Sequence, residues 1–171
     1  MFQHHKSYNI LQKKLKDFFT KGGISSIEEL VEKELSGIKE PFKTQKKQVI
    51  SKLNDIFNGY FLDGFQNKLY GNFLSRALTA YVISNKFGLD YHEATKCITD
   101  DKLDYGIDAI YIENETIYIF QTKFSKSVDT NDLRRLKDGI AKLLNISNTI
   151  SDFNTHIQAH KQKLCETLIK D

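Results

Sequence analysis

The chain has 171 residues, of which 40% are hydrophobic and 12% aromatic, and it carries a formal net charge of +3 at pH 7. These values are typical of a globular protein that can bury a core, and no apolar run is long enough to predict a membrane span. The two cysteines lie far apart, and there is no CxxC pattern or paired histidine spacing, so no zinc site is predicted.

The start of the chain and the cysteines indicate where the protein is found. The first residues, Met-Phe-Gln-His-His-Lys, do not form an apolar signal region, so we expect a protein that is not secreted. We therefore place it in the cytoplasm, where Cys97 and Cys165 would remain free thiols.

Residues 1–60 are predicted to form a helical N-terminal region. Apolar side chains recur at helical spacing in three segments, which begin near Tyr8, Ser26 and Pro41. The next apolar run, Tyr60 to Leu62, is a weak candidate for a short strand.

An acidic segment precedes the central part of the chain. A long amphipathic helix from about Asn72 to Phe87 contains no acidic residue, and the short helix that follows has Asp90 as its predicted N-cap and Glu93 at position N3. An acidic segment that runs into a strand is typical of a metal site, although cap and loop positions account for several of these acids without one. The acids of the segment are Asp90, Glu93, Asp100, Asp101, Asp104 and Asp108.

A β-hairpin is predicted directly after this acidic segment. Residues 107–112 and 117–120 are short runs rich in Ile, Tyr and Phe, which favour strands. The polar break between them is too short for anything but a turn, which we place at Asn114 and Glu115. Both faces of the resulting hairpin are mostly apolar, so we expect it to be buried on both sides.

The register of this hairpin brings three polar side chains together at its open end. With a two-residue turn, Asp108 lies opposite Gln121, and Lys123 shares their face because side chains alternate along a strand. A carboxylate and an amide oxygen are ligands for a cation such as Mg²⁺, and a nearby Lys can position water and stabilise charge on a phosphate. The alternative is a simple ion pair between Asp108 and Lys123, with Gln121 hydrogen-bonded beside it.

Two helices are predicted after the hairpin, the first capped by Thr130 or Asn131 and the second beginning near Ser151. Basic side chains along this region would give sequence-independent contacts with phosphates, unless they form an ordinary solvated helix face. The candidates are Lys126, Arg134, Arg135 and Lys137.

The segment from Asp104 to Ser125 resembles the core of the PD-(D/E)xK nuclease superfamily, in the variant with Gln in place of the second acid. Gly106-Ile107-Asp108 and Gln121-Thr122-Lys123 carry this resemblance, on either side of the strand, turn and strand. The segment is most similar to the N-terminal domain of AIPR-type abortive phage-resistance proteins, and is also similar to Mrr-like restriction endonucleases.

This resemblance implies a metal-dependent phosphodiesterase site. Asp108 and Gln121 would bind Mg²⁺ or Mn²⁺, and Lys123 would be the base that positions water. Many relatives also have a Glu on the helix before the hairpin, whereas the helix here has no acid. Asp104, Glu93 and Asp101 are the candidates that would replace it.

The predicted fold class is α+β, with a restriction-endonuclease-like core at residues 61–171 that follows the helical residues 1–60. We expect a small mixed sheet around the hairpin, flanked by helices, and one compact domain overall. A core of this kind usually has four strands, so the chain is expected to be either the N-terminal part of a longer protein or a trimmed stand-alone relative.

The function that follows is a metal-dependent nuclease that acts on DNA in defence against phage or other foreign DNA, with RNA not excluded. A homodimer is plausible, since cutting both strands usually needs two sites. Two alternatives remain open. The first is a catalytically inactive nuclease-like module with a nucleic-acid-binding or regulatory role, and the second is a helical dimerisation domain with an incidental hairpin.

Overall fold

The computed structural model describes residues 27–61, 70–124 and 129–168. Within these ranges eight α-helices accompany one two-stranded antiparallel sheet, which confirms the predicted α+β class. The chain divides into two compact units, Met1–Ala77 and Leu78–Asp171. The boundary between these units falls inside a helix, whereas the sequence places its boundary between residues 60 and 61.

The first unit is helical in its described residues. It contains α1 (Ile27–Leu35), α2 (Phe42–Ile56) and the first part of α3 (Tyr70–Phe87). The helix predicted from Tyr8 lies outside the described residues. Tyr60 and Phe61 do not form the strand that the sequence suggested, since Phe61 has a φ of 54°, far from extended backbone.

The second unit contains the rest of α3 and all of the strands that the structure describes. Its hairpin packs between the end of α3 and a group of C-terminal helices. Its elements are α4 (Tyr91–Lys96), β1 (Ala109–Glu113), β2 (Thr116–Phe120), α5 (Thr130–Leu144), α6 (Ile146–Thr149), a 3-10 turn at Ile150–Asp152, α7 (Thr155–Ala159) and α8 (Lys161–Leu168).

The hairpin has the predicted register. Ile110 lies opposite Ile119, and the turn consists of Asn114 and Glu115. Both turn residues have positive φ, 47° and 61°, the backbone of the type I′ turn that matches the twist of the flanking strands. In the described residues the sheet is antiparallel and not the mixed sheet that the sequence predicts, because the only further pairing is one antiparallel bridge from Ile98 to Ala109.

Apolar side chains cover both faces of this hairpin. On one face the ring of Phe87 lies 4.4 Å from that of Tyr111 and 4.7 Å from that of Tyr118, measured between centroids. On the other face a buried cluster joins β1 to the C-terminal helices. It contains Ile107, Ile110, Ile112, Leu143, Ile146, Phe153, Ile157 and Leu164.

Among the described residues, no helix combines the length and the apolar character needed to cross a membrane. Cys97 and Cys165 are both free, and Cys97 is buried.

Candidate metal centre

Three aspartates form a cluster at the start of β1. Asp100, Asp104 and Asp108 each offer one carboxylate oxygen, and these three oxygens lie within 4.8 Å of one another. Asp104 and Asp108 are buried and Asp100 is half-buried. Carboxylate oxygens are ligands for divalent cations such as Mg²⁺ and Mn²⁺, so these three residues could hold such a cation, although they do not select one of them.

Asp100 reaches the cluster through backbone pairing along the edge of β1. The amides of Thr99 and Asp100 both donate to the carbonyl of Asp108, at 2.9 and 3.2 Å. The Thr99 hydroxyl donates to the carbonyl of Ile107 at 2.6 Å, and the Asn154 side chain donates to the carbonyl of Thr99 at 2.9 Å. These contacts hold residues 99 and 100 beside the strand.

Asp104 is held by a tight loop and by α5. Its Oδ1 accepts hydrogen bonds from the Gly106 amide at 2.7 Å and from Arg135 Nη2 at 3.0 Å. Gly106 has a φ of +80°, and a Cβ there would lie 3.0 Å from Gln121 Nε2 and 3.1 Å from the amide nitrogen of Leu136. Glycine is therefore required here for both the backbone conformation and the space.

The electrostatics of the cluster disfavour three negative charges without a cation. The pKa of Asp108 is raised to about 7, chiefly by burial and also by the charges of Asp100 and Asp104, against the opposing effects of the Thr122 amide and Lys123. Burial likewise raises the pKa of Asp104. A divalent cation bound between these carboxylates would offset the cost of burying their charge.

The Gln121-Thr122-Lys123 segment continues past the end of the sheet and is held from two sides. The Thr122 amide donates to the Asp108 carboxylate. Gln121 Nε2 donates to the backbone carbonyl of Asp132 at 3.2 Å, and Lys123 Nζ lies 2.9 Å from Asp132 Oδ1. Lys123 thus forms its ion pair with Asp132 and not with Asp108 as the simple alternative expected, although its charge still lowers the pKa of Asp108.

Asp132 occupies a defined position in the first turn of α5. The N-cap of this helix is Asp129, and not Thr130 or Asn131 as predicted, and Asp132 is the N3 partner of Asp129 in a capping box. The Asp–x–x–Asp spacing of the sequence is consistent with the capping box, but it does not predict the contact of Asp132 with Lys123.

The remaining predicted site residues are spread more widely. Glu93 lies on the exposed α4, with its Oε1 2.6 Å from Lys96 Nζ, and is not part of the aspartate cluster. Asp101 is exposed, and its Oδ1 accepts from the amide of Lys102. Of the residues that could replace the helix Glu, the structure brings only Asp104 to the cluster.

The basic residues predicted to contact phosphates differ in whether their side chains pair with other residues of the chain. Arg135 pairs with Asp104 while 56% of its side chain stays exposed. Arg134 and Lys137 are exposed on the same helix, and Arg134 donates to Asn131 Oδ1 at 3.1 Å. Lys126 lies outside the described residues.

The comparisons with known proteins identify no relative: no family model, no curated protein and no solved structure matches this chain.

Proposed function

We propose that this chain is a metal-dependent phosphodiesterase that cleaves DNA, with its active centre at the open end of the hairpin. The observation that carries the proposal is the meeting of the carboxylate oxygens of Asp100, Asp104 and Asp108 within 4.8 Å. The proposal is supported by the Gln121-Thr122-Lys123 segment beside it, which resembles the motif of PD-(D/E)xK nucleases. A role in the cytoplasm in defence against phage is proposed from the resemblance to AIPR-type proteins alone.

The three aspartates would hold Mg²⁺ or Mn²⁺. When bound, such a cation supplies a more acidic water molecule and stabilises negative charge on a phosphate. Because the pKa of Asp108 is raised to about 7, its carboxyl group is partly protonated at neutral pH and must lose this proton to bind the cation. Its second role is structural, because it accepts the amide of Thr122 and so fixes the segment that carries Lys123.

Lys123 would act as a cation near the reacting phosphate. Its ion pair with Asp132 is a contact of the protonated ammonium group, which donates hydrogen bonds and accepts none. Such a group can orient a water molecule and stabilise charge that develops on the phosphate. In this geometry the role of a positioning cation is favoured over that of a free amine that takes up a proton.

Substrate contacts would come from the exposed face of α5. Arg135 binds Asp104 through one terminal nitrogen, and a guanidinium group has further donors for a phosphate oxygen. Arg134 and Lys137 are exposed on the same helix. Contacts of this kind bind the DNA backbone and carry no sequence specificity.

Plasmid cleavage with Mg²⁺ or Mn²⁺, set against an EDTA control, tests this function. We expect the wild type to nick supercoiled DNA only with the cation present, and Asp108→Asn and Lys123→Ala to lose at least about 100-fold in rate. Asp101→Asn is the matched control, because it removes an acid from the same segment but outside the cluster, and it should cleave like the wild type.

Cleavage that persists in EDTA, or that survives in Asp108→Asn, would overturn the proposal. A folded wild type that cleaves neither plasmid nor single-stranded DNA or RNA with either cation would do the same.

A second candidate function is a nucleic-acid-binding module without catalysis. It is favoured by α3, which carries no acid at the place where many nucleases of this kind have one, and by the internal ion pairs of Lys123 and Arg135. This candidate predicts DNA binding that is unchanged by EDTA, together with an absence of cleavage in every metal tested.

A further inference from the structure

Asp132 contacts two side chains of the segment that follows β2, those of Gln121 and Lys123. Its backbone carbonyl accepts from Gln121 Nε2 at 3.2 Å, and its Oδ1 lies 2.9 Å from Lys123 Nζ. The pairing of β1 with β2 ends at Ala109 and Phe120, so residues 121–124 have no strand ladder to hold them. The hydrogen bond from the Thr122 amide to Asp108 holds the backbone of this segment, while the ion pair of the Lys123 side chain is with Asp132 on α5.

The position of Asp132 on its own helix is also fixed. Its amide donates to Asp129 Oδ1 at 2.8 Å as part of the capping box. The side chains of Lys123 and Asp132 are 31% and 19% exposed, so their ion pair is partly shielded from water. The contact with Lys123 lowers the pKa of the Asp132 carboxyl, and the group is therefore charged at neutral pH.

We propose that Asp132 is the positioning residue of the centre, which holds the Lys123 ammonium group at the open end of the hairpin while taking no part in metal binding itself. The inference rests on the proposed nuclease function and adds a residue to it. Asp132 lies outside the aspartate cluster, so its loss would leave the cation ligands in place. Its effect would then appear in the rate of the bound complex and not in cation or DNA affinity.

Three variants test this role. Asp132→Asn removes the charge and keeps the size of the side chain, whereas Asp132→Glu keeps the charge and places the usual capping-box residue at N3. Asp138→Asn is the matched control, because it removes an exposed acid from the same helix at a distance from Lys123. For each variant, kcat and KM for plasmid cleavage, the Mn²⁺ dissociation constant and the Tm are measured.

We expect Asp132→Asn to lower kcat by at least about tenfold, with KM and the Mn²⁺ dissociation constant within about twofold of the wild type. Asp132→Glu should recover most of this loss, and Asp138→Asn should show none. An Asp132→Asn variant with a wild-type kcat would overturn the inference while leaving the nuclease function intact. An equal fall in kcat in Asp138→Asn would also overturn it. So would a fall in kcat of Asp132→Asn that accompanies a lower Tm and is not restored in Asp132→Glu. A wild type that fails to cleave overturns the nuclease function, and this inference with it.

Discussion

Asp108 combines burial with two neighbouring carboxylates, and this gives the metal-free protein a distinct pH dependence. Its pKa is raised to about 7 in the fold, whereas an unfolded Asp has a pKa near 3.9. Between these values the folded chain holds a proton that the unfolded chain releases. The free energy of unfolding should therefore fall as the pH rises from about 4 to about 7.

We expect Asp108→Asn to remove this contribution, since an amide does not ionise and its oxygen can still accept the Thr122 amide. Urea unfolding in EDTA at pH 5 and pH 8 checks the prediction: the loss of stability between the two should be about 1–3 kcal/mol smaller in the variant than in the wild type. Asp101→Asn should keep the wild-type difference. Equal losses in all three proteins would contradict the assignment.

The residues of the centre could be predicted from the sequence only where local periodicity governs them. Alternation along two strands predicted the register of the hairpin, which the pairing from Ala109–Phe120 to Glu113–Thr116 confirms, and it placed Asp108 and Gln121 just beyond the open end of this ladder. Asp100 and Asp132 were not predicted as site residues, because each reaches the centre through a contact that no spacing encodes. For Asp100 this contact is the hydrogen bond from its amide to the Asp108 carbonyl, and for Asp132 it is the ion pair with Lys123.

The helices and strands, like the site residues, could be predicted where neighbouring residues determine them and not where distant contacts do. The hairpin was predictable because Asn114 and Glu115 form a short polar break between two strand-like runs. The N-cap of α5 lies one or two residues before the predicted position, since Asp129, Thr130 and Asn131 are all good N-cap residues and their sequence does not rank them. The mixed sheet was inferred from the likeness to a family and not from strand-like residues, and the described residues do not form it.

Gly139 marks the closest approach of α5 to the loop that carries Asp104. A Cβ at this position would lie 2.7 Å from the carbonyl oxygen of Tyr105 and 3.1 Å from Ile107 Cδ1. Gly→Ala usually stabilises a helix by about 1 kcal/mol. Here we expect the opposite sign, because the clash is with backbone and can be relieved only by moving the helix or the loop.

Thermal and urea unfolding of Gly139→Ala should show a loss of about 1–3 kcal/mol. Gly71→Ala provides the comparison, since that helical glycine has no atom nearer than 3.9 Å to the added Cβ and should be neutral or slightly stabilising. A Gly139→Ala variant as stable as the wild type would show that α5 is packed less closely than described.

Composition alone predicted a globular protein with a modest positive charge, but not how its charges are used. Many of the described cations form ion pairs within the chain, so fewer of them are available to bind phosphates than the number of Lys and Arg residues suggests. The paired cations include Lys43, Lys46, Lys47, Lys96, Lys123, Arg135 and Lys142.

We therefore expect DNA binding with few phosphate contacts and a shallow dependence on salt. Each contact adds about −0.9 to the slope of log K against log salt for duplex DNA, and the slope here should be shallower than about −4. Lys137→Ala should reduce its magnitude by about one, whereas Lys96→Ala, at a lysine paired with Glu93, should not. Fluorescence anisotropy with a labelled duplex between 50 and 200 mM salt measures these slopes, and an unchanged slope in Lys137→Ala would contradict the assignment of this face.

Asp132 and Arg135 lie about one turn apart on α5, and each forms an ion pair with a residue of the centre, Asp132 with Lys123 and Arg135 with Asp104. Because an α-helix moves as a stiff rod, a displacement of its first turn would loosen both contacts in one event. Lys123 and the aspartate cluster therefore have one support in common besides their own local contacts, and a change that shifts this helix should disturb both together.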